Sequence, residues 1–207
     1  IVRSLVGSEM CIRDRVMSSM KDQRIKAESI LRGPAIQSFD MGSSADGMSP
    51  LMDAMVLACM ASYAQGMELL RIASAEHNYN LNMTSIAQIW KGGCIIRARL
   101  LKRIQDAFNA NPQLENLLID PWFADQVNRR LPGLAKVVAG AAAAGVPVPC
   151  LSSTLDYINS YRTSRLPQNL VQAMRDCFGS HTYERADKDG TFHTCLLYTS
   201  DAADEKY

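Results

Sequence analysis

The chain has 207 residues, 47% of them hydrophobic, and a net charge of +1. Such a length supports one sizeable core and a single domain by default. The balanced charge excludes a basic nucleic-acid stripe and an acidic tail. The longest charge-free stretch of the most hydrophobic segment, 54–67, falls short of the roughly 20 apolar residues that a membrane span needs.

Both ends read as foreign to the rest. Residues 1–16 (IVRSLVGSEMCIRDRV) and 195–207 carry mixed charge and no sustained apolar period, and they resemble translated sequencing-adapter sequence. They are expected to be disordered or poorly packed. Arg3, Glu9, Arg13, Asp14 and Arg15 also exclude a signal peptide at the start. The domain proper is expected to span 17–194.

Residues 17–31 predict a charged helix stopped by Gly33-Pro34, followed by a Gly/Ser/Asp-rich loop. Ser49-Pro50 supplies an N-cap and a first-turn proline for a long helix to about Glu76. Its apolar residues lie nearly all around it, which predicts a position at the centre of a helical core. Its methionines (Met48, Met52, Met55, Met60, Met67) read as adaptable core.

An Asn-rich turn precedes a second long helix expected over 83–110. Asn111-Pro112 and Asp120-Pro121 predict two shorter helices, and Leu131-Pro132-Gly133 predicts a break. The helix over 134–144 is expected to end at Gly145, with extended chain through 146–149. Ser152 or Ser153 then caps a helix to about Ser164, and Leu166-Pro167 opens the last one, ending near Gly179. No strand pattern of any length alternates, so the fold class is all-α. No Gly-rich strand–turn–helix unit for a dinucleotide is present either.

The six cysteines (Cys11, Cys59, Cys94, Cys150, Cys177, Cys195) form no C-x-x-C pair and lie near no His at zinc spacing, so no metal site is expected. They read as buried thiols of a reducing, cytoplasmic compartment.

Three side chains stand out. On a continuous 83–110 helix, Arg97 shares a stripe with Trp90, Cys94, Leu101, Ile104 and Phe108, opposite Arg99, Lys102, Arg103 and Asp106. An arginine there either meets an anion, snorkels to water or pairs with a buried carboxylate. Gly92-Gly93 would let a ligand or backbone approach closely. Arg175 lies in the final turn of the last helix, and His181 lies just past its cap. An arginine fork with a nearby imidazole suits a phosphate monoester. Equally, Arg175 could complement the helix dipole while His181 is plain surface. His77 reads as surface, and His193 only borders the foreign tail.

Several segments carry a resemblance: Lys21-Asp-Gln-Arg24, Ser62-Tyr-Ala-Gln-Gly66, Gly92-Gly-Cys-Ile-Ile-Arg97, Asn111-Pro112, Pro147-Val-Pro149, Leu166-Pro167-x-Asn169-Leu170 and Arg175-Asp-x-Phe-Gly-x-His181-Thr-Tyr-Glu184. In order and spacing they resemble the C-terminal domain of the decarboxylating 6-phosphogluconate dehydrogenases. The resemblance implies NADP-dependent oxidation and decarboxylation of 6-phosphogluconate to ribulose 5-phosphate in the pentose phosphate pathway. It implies that Arg97 binds the sugar phosphate and that Arg175 and His181 reach into the other subunit's site of a homodimer. It also implies that the NADP-binding domain, the general-base lysine and the general-acid glutamate lie upstream. No catalytic residue is therefore expected here, and the chain alone is expected not to turn over. A helical dimerisation module without catalytic role is the alternative. Cys177 departs from the family, where an aromatic is usual.

Overall fold

The structure, a computed structural model, describes residues 16–31, 33, 50–94 and 96–194. The foreign-looking residues 1–15 and 195–207, the stop at Pro34 and the cap at Ser49 lie outside the described residues, as do Cys11, Met48 and Cys195. The chain divides into two compact units, Ile1–Ile158 and Asn159–Tyr207.

In the first unit, α1 (Lys21–Ile30) buries no residue. Helix α2 (Pro50–Glu76) buries Ala54, Leu57, Met60, Ala61, Ala64 and Met67 along one side. Leu51, Met52, Met55, Leu69 and Ile72 on its other side are exposed. The expectation of a helix covered all round is thus met on one face only, and Met52 and Met55 are not core. Cys59 and Cys150 are exposed and Cys94 and Cys177 half-buried, contrary to the expectation of buried thiols. Cys59 lies on the face of α2 that the neighbouring helices leave uncovered.

The single helix expected over 83–110 is two. Helix α3 (Met83–Gly93) starts on Asn82, whose side chain accepts the Ser85 amide at 2.8 Å. It ends at Gly92-Gly93, the poorest helix formers short of proline, and Cys94 is already extended. Helix α4 (Leu100–Ala110) then buries Leu101, Ile104, Ala107 and Phe108. Asn111-Pro112 opens a turn rather than a helix, with the Asn111 side chain accepting the Gln113 amide at 3.1 Å. A single 3₁₀ turn, Leu117–Ile119, follows on the buried Asn116. Asn116 donates to Glu68 and to the Tyr157 hydroxyl, both at 2.8 Å, and accepts the Leu118 amide at 2.9 Å. Its amide is therefore satisfied in the core, as a buried polar group requires.

Helix α5 (Pro121–Ala143) begins as expected, with Asp120 capping Trp122 and Phe123 and Pro121 in the first turn. It then runs straight through Pro132, where a break was expected. An interior proline costs about 3 kcal/mol. Packing on both sides of it outweighs that cost: Phe123 and Val127 are buried before it, and Leu134, Val137 and Ala141 after it. Each large apolar side chain fully buried is worth about 1.5–3 kcal/mol. Gly145 leaves the helix with φ 70°, in the left-handed region. Helix α6 (Pro149–Tyr161) starts at the proline rather than at Ser152 or Ser153, because Pro149 itself presets the first-turn φ.

Where α5 crosses the first turn of α2, Asp53 is buried and receives Arg130 Nη1 at 2.7 Å. Gln126 accepts Arg130 Nε and Nη2 at 3.3 and 3.2 Å. Gly133 sits against the same carboxylate.

In the second unit, α7 (Asn169–Gly179) leads into a short antiparallel hairpin of β1 (Tyr183–Glu184) and β2 (Thr191–Phe192). Tyr183 faces Phe192 in register and Glu184 faces Thr191. The all-α class therefore holds apart from this hairpin, whose two-residue strands are too short to show an alternating period.

A Cβ added at Gly133 would lie 2.7 Å from Asp53 Oδ2 and 2.8 Å from Asp53 Cβ. Gly133→Ala is therefore expected to destabilise the protein by about 1–3 kcal/mol. A thermal melt checks this, and an unchanged midpoint would show that the crossing has slack.

Candidate functional site

Arg97 does not lie on a helical stripe. It is an exposed residue in the link between α3 and α4, so the stripe argument fails with the helix that carried it. The link is nevertheless held. The Arg97 amide donates to Cys94 O at 3.1 Å, and the Tyr63 hydroxyl of α2 donates to Ile96 O. Trp90 packs beside Tyr63, with ring centroids 6.4 Å apart. Burial, with the neighbouring Cys59 and Cys94, raises the Tyr63 pKa, so the phenol stays protonated as a donor. Among the described residues no carboxylate lies within ion-pair distance of Arg97.

Arg175 and His181 belong to the second unit. Arg175 is exposed on α7, and its Nη1 meets the Gln172 side-chain oxygen at 3.4 Å. His181 is exposed after the helix ends. The end is made by Ser180 at φ 53° rather than by Gly179. His181 folds back so far that a Cβ on Gly179 would meet its ring at 3.0 Å. Gln172 joins the two residues: its Nε2 donates to Thr182 O at 2.6 Å and approaches His181 O at 3.5 Å. A cleft of about 700 Å³ opens here, lined in part by Asn169, Gln172, His181, Thr182 and Thr191.

The anchor of this turn is Asp176, which is 1% exposed. Its Oδ1 accepts the Thr182 amide at 2.8 Å and lies 2.7 Å from His193 Nδ1. Its Oδ2 accepts the Thr194 amide at 2.8 Å. His193 Nε2 in turn lies 3.4 Å from Ser180 Oγ. Burial pushes the Asp176 carboxyl up, but the hydrogen bonds from His193, Thr194 and Thr182 outweigh it and hold its pKa below the usual value. Ser180 and Thr182, on either side of His181, both have positive φ, 53° and 56°. Thr is β-branched, and left-handed backbone there costs about 1–3 kcal/mol and persists only where the surroundings over-determine it.

Asp176, His193, Gln172 and Tyr63 escaped the sequence reading. Asp176 stands beside Arg175 in the chain and looks like an ordinary helix-surface acid. His193 was set aside as bordering the tail, yet it holds the buried carboxylate. His77 is exposed beside Tyr79, as expected. Among the described residues no group of three or more His, Cys, Asp or Glu side chains is placed for a metal ion, and no helix is long and apolar enough to cross a membrane.

Helices laid along a long α2, followed by a separate helix–hairpin unit with exposed cationic and imidazole side chains, define a predominantly helical class of protein. A family model described as "6-phosphogluconate dehydrogenase, C-terminal domain" matches residues 7–195, and the chain belongs to that family. It is 48% identical over 182 residues to a decarboxylating 6-phosphogluconate dehydrogenase of Synechococcus elongatus, covering 88% of this chain and 38% of that protein. The counterpart from Shigella flexneri is 47% identical over 180 residues, covering 87% and 38%. A solved Plasmodium falciparum 6-phosphogluconate dehydrogenase, described in apo form, with its cofactor NADP+ and with its substrate 6-phosphogluconate, matches with TM-score 0.77 and 42% identity, over 87% of this chain and 38% of that one. The chain thus spans just over a third of the length of these relatives.

Because Asp176 titrates lower in the fold than in a free chain, its contribution to stability is complete above the unfolded value of about 3.9 and is lost as pH falls through the folded one. The Thr182 and Thr194 amide resonances are therefore expected to shift together on acidification, with an apparent midpoint below about 3.9. Resonances unmoved between neutral pH and strong acid would remove Asp176 as their acceptor.

Proposed function

We propose that the chain is the C-terminal part of an NADP-dependent, decarboxylating 6-phosphogluconate dehydrogenase, with residues 17–194 as its helical domain. In that enzyme Arg97, Arg175 and His181 bind the phosphate of 6-phosphogluconate, Arg175 and His181 serving the other subunit of a cytoplasmic homodimer. The enzyme oxidises and decarboxylates its substrate to ribulose 5-phosphate in the pentose phosphate pathway. The observation that carries this reading is the His181 turn. A fully buried carboxylate fixes a strained turn that presents an exposed imidazole six residues after an exposed guanidinium, with the Gln172 side chain meeting both Arg175 and the backbone of the turn. Among the described residues no carboxylate pairs with Arg175, so its charge remains available to a phosphate dianion.

The described residues do not fit a dinucleotide. Their strands are two residues long and antiparallel, whereas the dinucleotide crevice needs parallel strands joined through a Gly-rich turn into a helix. We assign NADP to a part of the enzyme outside this chain and derive no step through it. The residues here bind and orient.

In the complete enzyme, Arg175→Ala is expected to raise KM for 6-phosphogluconate about 10- to 150-fold, the equivalent of a charge-assisted contact of about 1.5–3 kcal/mol. KM for NADP should stay the same. Steady-state kinetics checks both, and an unchanged KM for the sugar phosphate would remove Arg175 from the site.

Uncovered apolar faces support the homodimer. Leu170, Val171, Met174 and Phe178 of α7 are all exposed, Phe178 to 84%, as is the outer face of α2. Contiguous apolar surface of this kind marks an interaction site. Phe178→Asp is expected to weaken self-association in sedimentation velocity. A variant that sediments as the parent does would place the dimer contact elsewhere.

A further inference from the structure

We infer that Asp176 and His193 are positioning residues for the sugar phosphate, holding the His181 turn in its binding shape without touching the substrate. The inference rests on the reading of Arg175 and His181 given above. It starts from an outlier. His181 stands between two non-glycine residues in left-handed backbone, Ser180 and Thr182, a conformation that a threonine does not hold unaided. Asp176 supplies the restraint. One carboxylate oxygen grips the Thr182 amide directly after His181, and the other grips the Thr194 amide beyond β2. Both chain ends of the hairpin are thereby tied to the last turn of the helix that bears Arg175.

His193 completes the donor set around the carboxylate. Its Nδ1 lies 2.7 Å from Asp176 Oδ1, and its Nε2 faces Ser180 Oγ at 3.4 Å. The ring therefore links the carboxylate to the residue on the other side of His181. Three donors converge on a carboxylate that water does not reach, and none of these contacts spends the exposed edge of His181. The chemistry is that of an outer ring of hydrogen bonds orienting a group that binds ligand.

The test uses the complete dehydrogenase. Asp176→Asn is expected to raise KM for 6-phosphogluconate by about tenfold, to leave KM for NADP within about twofold, and to shift the His181 ring resonances. His193→Ala should behave alike. His193→Asn, whose amide nitrogen can stand in for Nδ1, should restore most of the affinity. This pair keeps the test open should Asp176→Asn fail to fold. If Arg175→Ala and His181→Ala leave KM for the sugar phosphate unchanged, the functional reading falls and this inference with it. If those two raise KM while both His193 variants bind substrate like the parent, the inference alone is overturned. Lowered thermal stability with unchanged KM would likewise overturn it, leaving Asp176 and His193 a merely structural role.

Discussion

The crossing of α2 and α5 closes on the ion pair of Asp53 and Arg130, and the first unit is arranged around it. Arg130 is 14% exposed and Asp53 2% by side chain, so both charges have left most of their water. A pair in that setting gains little over a well-packed apolar substitute. Removing either partner is another matter, since it strands a buried charge at a cost of about 3–5 kcal/mol. The pair therefore fixes how the helices meet more than how strongly. Gly133 allows the approach, because a methyl group there would overlap the Asp53 carboxylate. Continuation of α5 past Pro132 follows from the same geometry: Arg130 on one side of the proline and Leu134 on the other both face α2's neighbourhood, and only an unbroken helix keeps both in place.

The second unit repeats the device with a different outcome. Asp176 is as buried as Asp53, but its partners are two backbone amides and an imidazole rather than a guanidinium. Backbone donors define a loop's path, whereas a side-chain cation defines the contact between two helices. One acid thus sets a crossing and the other sets a turn. The turn bears the exposed His181, whereas the pair at the crossing is itself mostly buried.

Legibility in the sequence followed the range of the forces involved. Caps and prolines act locally, so the starts of α2 and α5 and the Gly145 stop could be read from neighbouring residues. Pro132 was misread because its local cost is outweighed by contacts with residues about 80 positions away, Asp53 among them. The break between α3 and α4 was signalled by Gly92-Gly93. The apolar period continuing beyond it masked that signal, and Arg97 was placed on a stripe that does not exist. Cys59 and Met55 were misassigned for a related reason. Apolar composition on a helix reports that a face will be covered, without saying that this chain's own helices cover it. Of the proposed site, Arg175 and His181 could be singled out because they lie six residues apart across a helix end, a local spacing. Asp176 and His193 are 17 residues apart, and the hairpin that joins them has strands of two residues each, below the length at which any period shows.

Arginines in this fold separate by partner, and the separation bears on what each is for. Arg130 meets a buried carboxylate at 2.7 Å and a glutamine besides, so its charge is consumed within the protein. Arg129 and Arg185 pair with exposed Asp125 and Asp187 close by in sequence, contacts worth little in water. Arg97 and Arg175 differ from all three. Tyr63 grips the backbone of the link that carries Arg97, and Gln172 touches the Arg175 guanidinium, yet among the described residues neither guanidinium meets an anion of the protein. A cation with its charge unspent is what the proposed phosphate contact calls for, because binding would then form charge-assisted hydrogen bonds without first breaking an ion pair.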